Sequence, residues 1–181
     1  MRIGISGTHG TGKTALAEAL CARLPGHVVE AGPHLRLPPS AEDCRALVAR
    51  SVRCLTSPAS GSGVVFDRTP LDYLAYQVAI GADLAENASL RPAFAGLDLL
   101  VVTPITAETE RLLPAAELPD LRSRMNDALL DLVHTDPLHA WRDTPVLQLS
   151  GPLGTRLDTV LGAITKRPVT RPRASDPGGV W

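Results

Sequence analysis

The sequence predicts an α/β domain in three layers: a five-stranded parallel sheet with helices on both faces. Three observations carry that expectation. Short apolar runs alternate with segments of helical period, helix-start signatures stand ahead of several of those segments, and sixteen prolines divide the chain into gaps that outline the elements. At 181 residues the chain corresponds to one domain on a prior of roughly 150 residues, enough to bury a single sizeable core.

The elements follow in order. Residues 1–6, with Ile3 and Ile5, read as a first strand, a glycine-rich loop fills 7–12, and Lys13–Leu24 reads as a helix closed by Pro25. Leu16, Leu20 and Leu24 flank Cys21 at helical spacing, so Cys21 packs as a small hydrophobe. His27–Glu30 is the second strand. Ser40 follows two prolines and precedes Asp43 by three residues, a capping arrangement. It opens a helix with Cys44, Leu47, Val48, Ser51 and Leu55 on one face, ending near Ser57 and Pro58. Gly63–Asp67 is the third strand. Thr69, Pro70 and Asp72 then supply an N-cap, an N1 proline and an acidic N3 for a helix expected to run to about Leu84. Leu97–Thr103 is the fourth strand, Thr106–Leu113 a turn or two of helix, Pro119–His134 a long helix, Val146–Ser150 the fifth strand and Leu153–Thr165 the last helix. The domain is expected to span residues 1–165. Residues 166–181, with three prolines, two glycines and four basic residues, are expected to form a flexible, solvated tail.

Composition narrows the partners. The 18 basic residues, 16 Arg with only Lys13 and Lys166, face 19 acidic ones for a net charge of −1, so no broad positive field awaits a nucleic-acid backbone. Six aromatic residues are too few and too scattered for a base-stacking platform. Apolar stretches such as 99–102 fall far short of the roughly 20 residues that span a bilayer, and the start of the chain has no apolar signal region. Cys21, Cys44 and Cys54 are odd in number and spaced for neither a disulfide framework nor a zinc site, which points to a reducing, cytoplasmic setting. The expected partner is a small molecule, not nucleic acid or membrane, and a homodimer is compatible with all of this.

The sharpest motif is GTHGTGKT, residues 7–14, in which Gly7, Gly12, Lys13 and Thr14 complete the pattern GxxxxGK[ST]. It follows a predicted strand and opens a predicted helix, so backbone N–H groups and the helix N-terminus can converge on phosphate oxygens. Gly7, Gly10 and Gly12 let the backbone turn tightly and approach a nucleotide. Lys13 should reach the β- and γ-phosphates of ATP, and the Thr14 hydroxyl should coordinate Mg²⁺. His9 and Thr11 complete the donor-binding set, His9 either touching phosphate or being tolerated at a variable loop position.

Direction along the strands sorts the carboxylates. Glu30 and Asp67 end the second and third strands, on the rim of the phosphate loop, whereas Asp98 begins the fourth strand on the opposite rim as a solvated strand start. Asp67, after the apolar run 64–66, suits a second Mg²⁺-orienting group. Arg68 can clamp an acceptor phosphate or the transferring phosphoryl bidentately. Glu30 can hydrogen-bond to, or take a proton from, an acceptor hydroxyl.

The segment DRTPLDYLAYQ, residues 67–77, resembles the DR…AYQ signature of thymidylate kinases, with Asp67, Arg68, Ala75, Tyr76 and Gln77 in register. EAG, residues 30–32, sits where that family has its REPGG turn, and residues 104–111 also fall in order. The chain thus resembles the P-loop nucleoside and nucleotide kinases, a group that includes small ATPases related to nicotinamide riboside kinase. The resemblance implies a P-loop fold of nucleotide-kinase type with a helical lid at about 111–124, where Arg122 and Arg124 would close over the phosphates. It also implies an acceptor-lining helix bearing Tyr73, Tyr76 and Gln77, and an adenine site at 150–154. His9 stands where the family has an acidic residue and Val29 where it has an arginine, so the acceptor stays open. The function expected is ATP- and Mg²⁺-dependent phosphoryl transfer to a nucleoside- or nucleotide-like metabolite. The alternative is a regulatory P-loop ATPase or GTPase switch with no small-molecule acceptor.

Overall fold

Five strands, all parallel, pair in the order β2-β3-β1-β4-β5, where β1 is Arg2–Ser6, β2 His27–Ala31, β3 Gly63–Asp67, β4 Leu99–Val102 and β5 Val146–Gln148. The computed structural model describes residues 1–58, 63–84, 87–112 and 118–166. Seven α-helices accompany the strands among these residues: α1 (Lys13–Arg23), α2 (Ala41–Thr56), α3 (Pro70–Ala79), α4 (Leu90–Ala95), α5 (Ala107–Leu112), α6 (Pro119–Thr135) and α7 (Leu153–Thr165). Five of the expected lid positions, 113–117, and the expected tail beyond Lys166 lie outside the described residues.

The sheet divides the core by strand alternation. Ile3, Ile5, Val65, Leu99 and Val101 face α1 and α7, joining Leu16, Leu20 and Val160 in one cluster. Val64, Phe66, Leu100 and Val102 face the other way, into the larger cluster of α2, α3, α4 and α6. Gly4 points to that side too: a Cβ there would come within 2.8 Å of the Thr69 side chain and 2.9 Å of Leu97, so only glycine lets α3 begin this close to β1. Cys21 packs partly buried at the margin of the α1 cluster. No helix among the described residues is long and apolar enough to cross a membrane.

Both capping boxes form, Ser40 with Asp43 ahead of α2 and Thr69 with Asp72 ahead of α3. On α2 the buried face is Cys44, Val48, Ser51, Val52 and Leu55, with Leu47 at its margin. α3 stops at Ala79, five residues before the expected Leu84, because its end is closed locally. Gly81 adopts φ 76° and its N–H donates to the Val78 carbonyl, the Ala82 N–H donates to Gln77, and the Gln77 side chain donates to the Asp83 carbonyl. Strands β4 and β5 are shorter than the expected 97–103 and 146–150, and α4 was not legible because Pro92 falls within it. Asp98 lies exposed just before β4 and accepts the Arg2 N–H at 2.7 Å.

Candidate active site

Chain direction and sheet order bring three segments to one rim: the loop 7–12 between β1 and α1, the end of β3, and the end of β2. In the loop, Gly10 and Gly12 have φ of 71° and 83°, and Gly12 is the N-cap of α1. Gly7 has no room for a side chain, since a Cβ would meet the Thr103 hydroxyl at 2.2 Å and its carbonyl at 2.5 Å. The loop is braced from inside. The buried Thr11 hydroxyl donates to the Thr8 carbonyl at 2.9 Å and meets the Thr103 hydroxyl at 3.0 Å, so what Thr11 can offer a ligand is backbone. Lys13 is buried across the loop, its ammonium donating to the Thr8 carbonyl at 2.6 Å. Burial pulls its pKa down to about 8; Asp72 and, less strongly, Asp67 favour the charge, while Arg68 and Arg122 oppose it.

The Thr14 hydroxyl donates to Asp67 Oδ2 at 2.6 Å. Asp67 Oδ1 is buried with no hydrogen-bond partner among the described residues, a costly arrangement for a carboxylate unless something positive occupies it. A threonine hydroxyl and a carboxylate are the hard oxygen donors that Mg²⁺ prefers, so this pair fits the ion. Arg68, half-exposed, follows with φ 92°, a conformation uncommon for a residue with a side chain. Its N–H donates to the Ile5 carbonyl at 3.0 Å, while the Asp67 carbonyl accepts the Gly32 N–H at 2.7 Å, so the strained turn ties all three strand ends together. Such outliers cluster at functional sites.

Glu30 pairs in register with Phe66 and so lies on the α2–α3 side of the sheet, opposite Asp67, which pairs with Ala31. There it meets Cys54 of α2, whose thiol is pushed up by burial and by the charge and hydrogen bond of Glu30. Tyr73 is fully buried and its hydroxyl donates to the Pro33 carbonyl at 2.5 Å, fixing the segment after β2; burial raises its pKa. Tyr76, also buried and raised by burial, meets His9 Nδ1 at 3.0 Å. Gln77 turns to the end of α3. Of the two arginines expected in a lid, Arg122 reaches the loop: its Nε donates to the His9 carbonyl at 3.2 Å, Nη1 lies 3.7 Å from Glu110, and Nη2 is buried without a partner among the described residues. Arg124 is exposed on α6.

Beside the loop opens a cavity of about 180 Å³, lined by Gly10, Thr11, Gly12, Ala15, Glu108, Thr109, Gly151, Leu153 and Arg156. It lies where the sequence resemblance puts an adenine ring.

Solved structures supply the comparison. A deoxyadenosine kinase from M. mycoides, solved with dCMP and dCDP bound, superposes with a TM-score of 0.67 at 14% identity, over 92% of this chain and 100% of that one. The chain has the fold of the P-loop nucleoside and nucleotide kinases. The same kinase fold is found in thymidylate kinase from Candida albicans (TM-score 0.61, 15% identity, 91% of this chain and 90% of that one). It recurs in the YorR protein of Bacillus subtilis, solved with phosphorylated GDP (0.63, 13%, 91% and 96%). No protein-family model matches the chain, and no curated protein matches its sequence.

Within this kinase fold, sequence reading missed Arg156 and saw only half of Asp72. Arg156 lies on α7, far along the chain from the loop, yet it is buried and donates to the Thr11 and Gly151 carbonyls at 2.6 Å each, pinning the phosphate loop to the segment after β5. An arginine among apolar positions of a terminal helix was the available signal. Asp72 was read as a helix cap, and its Oδ1 also accepts the Gly7 N–H at 3.1 Å. Arg156→Ala leaves two carbonyls unsatisfied, each costing about 1–3 kcal/mol where buried. The melting temperature of the variant should fall by several degrees.

Proposed function

We propose that this protein is a kinase that moves the γ-phosphoryl of ATP, with Mg²⁺, to a nucleoside- or nucleotide-like acceptor. The observation that carries this reading is the Thr14–Asp67 contact at 2.6 Å, with the second Asp67 oxygen buried and unpartnered beside the phosphate loop. Mg²⁺, when bound, neutralises charge on the phosphates. Thr14 and Asp67 would hold it. Lys13 and the loop N–H groups bind the donor phosphates, and the cavity against Gly151 and Arg156 takes the base. Phosphoryl transfer depends on positioning and charge more than on covalent help, and Arg68 and Arg122 supply cations on either side of the transferring group. Tyr73, Tyr76 and Gln77 build the wall behind the acceptor. Three free cysteines among the described residues fit a reducing, cytoplasmic setting.

A carboxylate at the acceptor side favours a hydroxyl acceptor, whose proton Glu30 takes as the bond to phosphorus forms. Glu30→Gln should therefore slow transfer to a hydroxyl by about 10²-fold while nucleotide affinity stays within about twofold. Equal rates for variant and parent would return Glu30 to the surface. The reading as a whole is tested by ATP consumption with and without a panel of nucleosides, nucleotides, sugars and amino-alcohol metabolites. Acceleration by one class identifies the acceptor; turnover that no acceptor accelerates points instead to a nucleotide-driven switch.

A further inference from the structure

The cavity beside the phosphate loop holds two opposite charges that do not meet. Arg156 lines it from α7 and Glu108 from the first turn of α5, yet no ion pair joins them among the described residues. Arg156 is held back by its own wall: Nε donates to the Gly151 carbonyl and Nη1 to the Thr11 carbonyl, at 2.6 Å each. The lining threonines are committed as well. The Thr11 hydroxyl is taken up inside the phosphate loop, and the Thr109 hydroxyl donates to the Thr106 carbonyl at 3.0 Å while accepting the Thr106 N–H at 2.8 Å. Glu110, two residues along α5, lies beside Arg122 instead. Of the polar side chains on this cavity, only the half-buried carboxylate of Glu108 has neither a hydrogen bond nor an ion pair among the described residues. A carboxylate accepts hydrogen bonds and donates none, and it repels phosphate. It asks for an N–H or O–H donor. The remaining walls, Gly10, Gly12, Ala15, Gly151 and Leu153, bring no polar side-chain atom, which suits a flat ring better than a sugar.

We propose that Glu108 is a specificity-determining residue that reads position 6 of the donor purine: its carboxylate accepts from the 6-amino group of adenine and rejects a purine with an oxygen there. The inference rests on the reading of this cavity as the base site of the nucleotide donor. The amino group supplies the N–H that a carboxylate lacks. The 6-oxygen of guanine or hypoxanthine sets a second acceptor against it, with no proton to share between them. A hydrogen bond that one base makes and another cannot discriminates more sharply than fit alone.

Calorimetric titration in Mg²⁺ with four nucleotides that share one triphosphate chain tests this: ATP, inosine triphosphate with its 6-oxygen, purine riboside triphosphate with nothing at position 6, and 2′-deoxy-ATP. The parent is expected to bind ATP about tenfold tighter than the inosine and purine riboside compounds. Glu108→Ala should lose affinity for ATP alone, so that the three ribonucleotides converge to within about twofold. Glu108→Gln, whose amide both accepts and donates, should bring the inosine compound up to match ATP. A parent that binds the three alike overturns the proposal, and this arm decides even if a variant does not fold. A Glu108→Ala protein that keeps the parent's preference overturns it as well. So does a greater loss for 2′-deoxy-ATP than for purine riboside triphosphate, which would assign the carboxylate to the ribose. None of these measurements uses an acceptor. A protein that discriminates at position 6 but phosphorylates nothing would sink the kinase reading and leave this one standing. One that phosphorylates equally well with ATP and inosine triphosphate would do the reverse.

Discussion

Lys13→Ala is expected to abolish phosphoryl transfer, lowering kcat by at least about 10³-fold, in a protein that still folds. The ammonium is buried and held against the loop's own Thr8 carbonyl. Arginine is abundant here but is planar and rigid at its head, a poor substitute for a compact charge between two phosphates. The side chain is retained against burial that lowers its pKa to about 8. The alanine variant should therefore melt no lower than the parent, trading activity for stability. The pH dependence follows with a definite sign. Lys13 carries its charge below about pH 8 and loses it above, so kcat/KM for ATP in the parent should fall as pH rises through that value. A variant that keeps turnover would remove the phosphate loop from the chemistry.

Asp67→Asn should have the next largest effect. The substitution preserves shape and leaves an acceptor for the Thr14 hydroxyl, but removes the negative charge whose free oxygen is buried beside the loop. The expected outcome is a rise of about 10–100-fold in the Mg²⁺ concentration required for half-maximal rate, with kcat reduced about 10²-fold. Affinity for ATP measured in EDTA should be unchanged or tighter, because a carboxylate facing phosphates without the metal only repels them. A Mg²⁺ requirement identical to the parent's would move the metal role elsewhere.

Much of this molecule was legible before any coordinates. The strand–loop–helix context of residues 1–24 follows from two alternating isoleucines, three glycines and a helical leucine spacing, all local signals. The capping boxes at Ser40 and Thr69 were equally visible, because a cap is written within four residues. What escaped was non-local. Arg156 reaches the phosphate loop only because α7 packs beside α1, and Gly7 meets Asp72 only because β3 and β1 are neighbours in the sheet. The early end of α3 was hidden for a different reason. Apolar residues continue past Ala79, but Gly81 in a left-handed conformation and the Gln77 side chain close the helix before that pattern runs out. Glu30 was assigned to the correct rim, while its side of the sheet required the register with Phe66.

Nine of the ten residues of α3 are buried, and several of its side chains are already spoken for: Asp72 by the loop, Tyr73 by Pro33, Tyr76 by His9, Gln77 by the chain beyond the helix. The helix that the proposed function sets behind the acceptor is therefore also the middle of the larger core. In mutational terms this is a wall with almost no neutral neighbours: a substitution that reshapes the pocket from α3 also loosens the fold. Drift toward new acceptors should consequently be rare along α3 and concentrate in the segment docked on it after β2, around 30–37. Libraries that randomise that stretch should yield more folded, altered-specificity variants than libraries of equal size on α3.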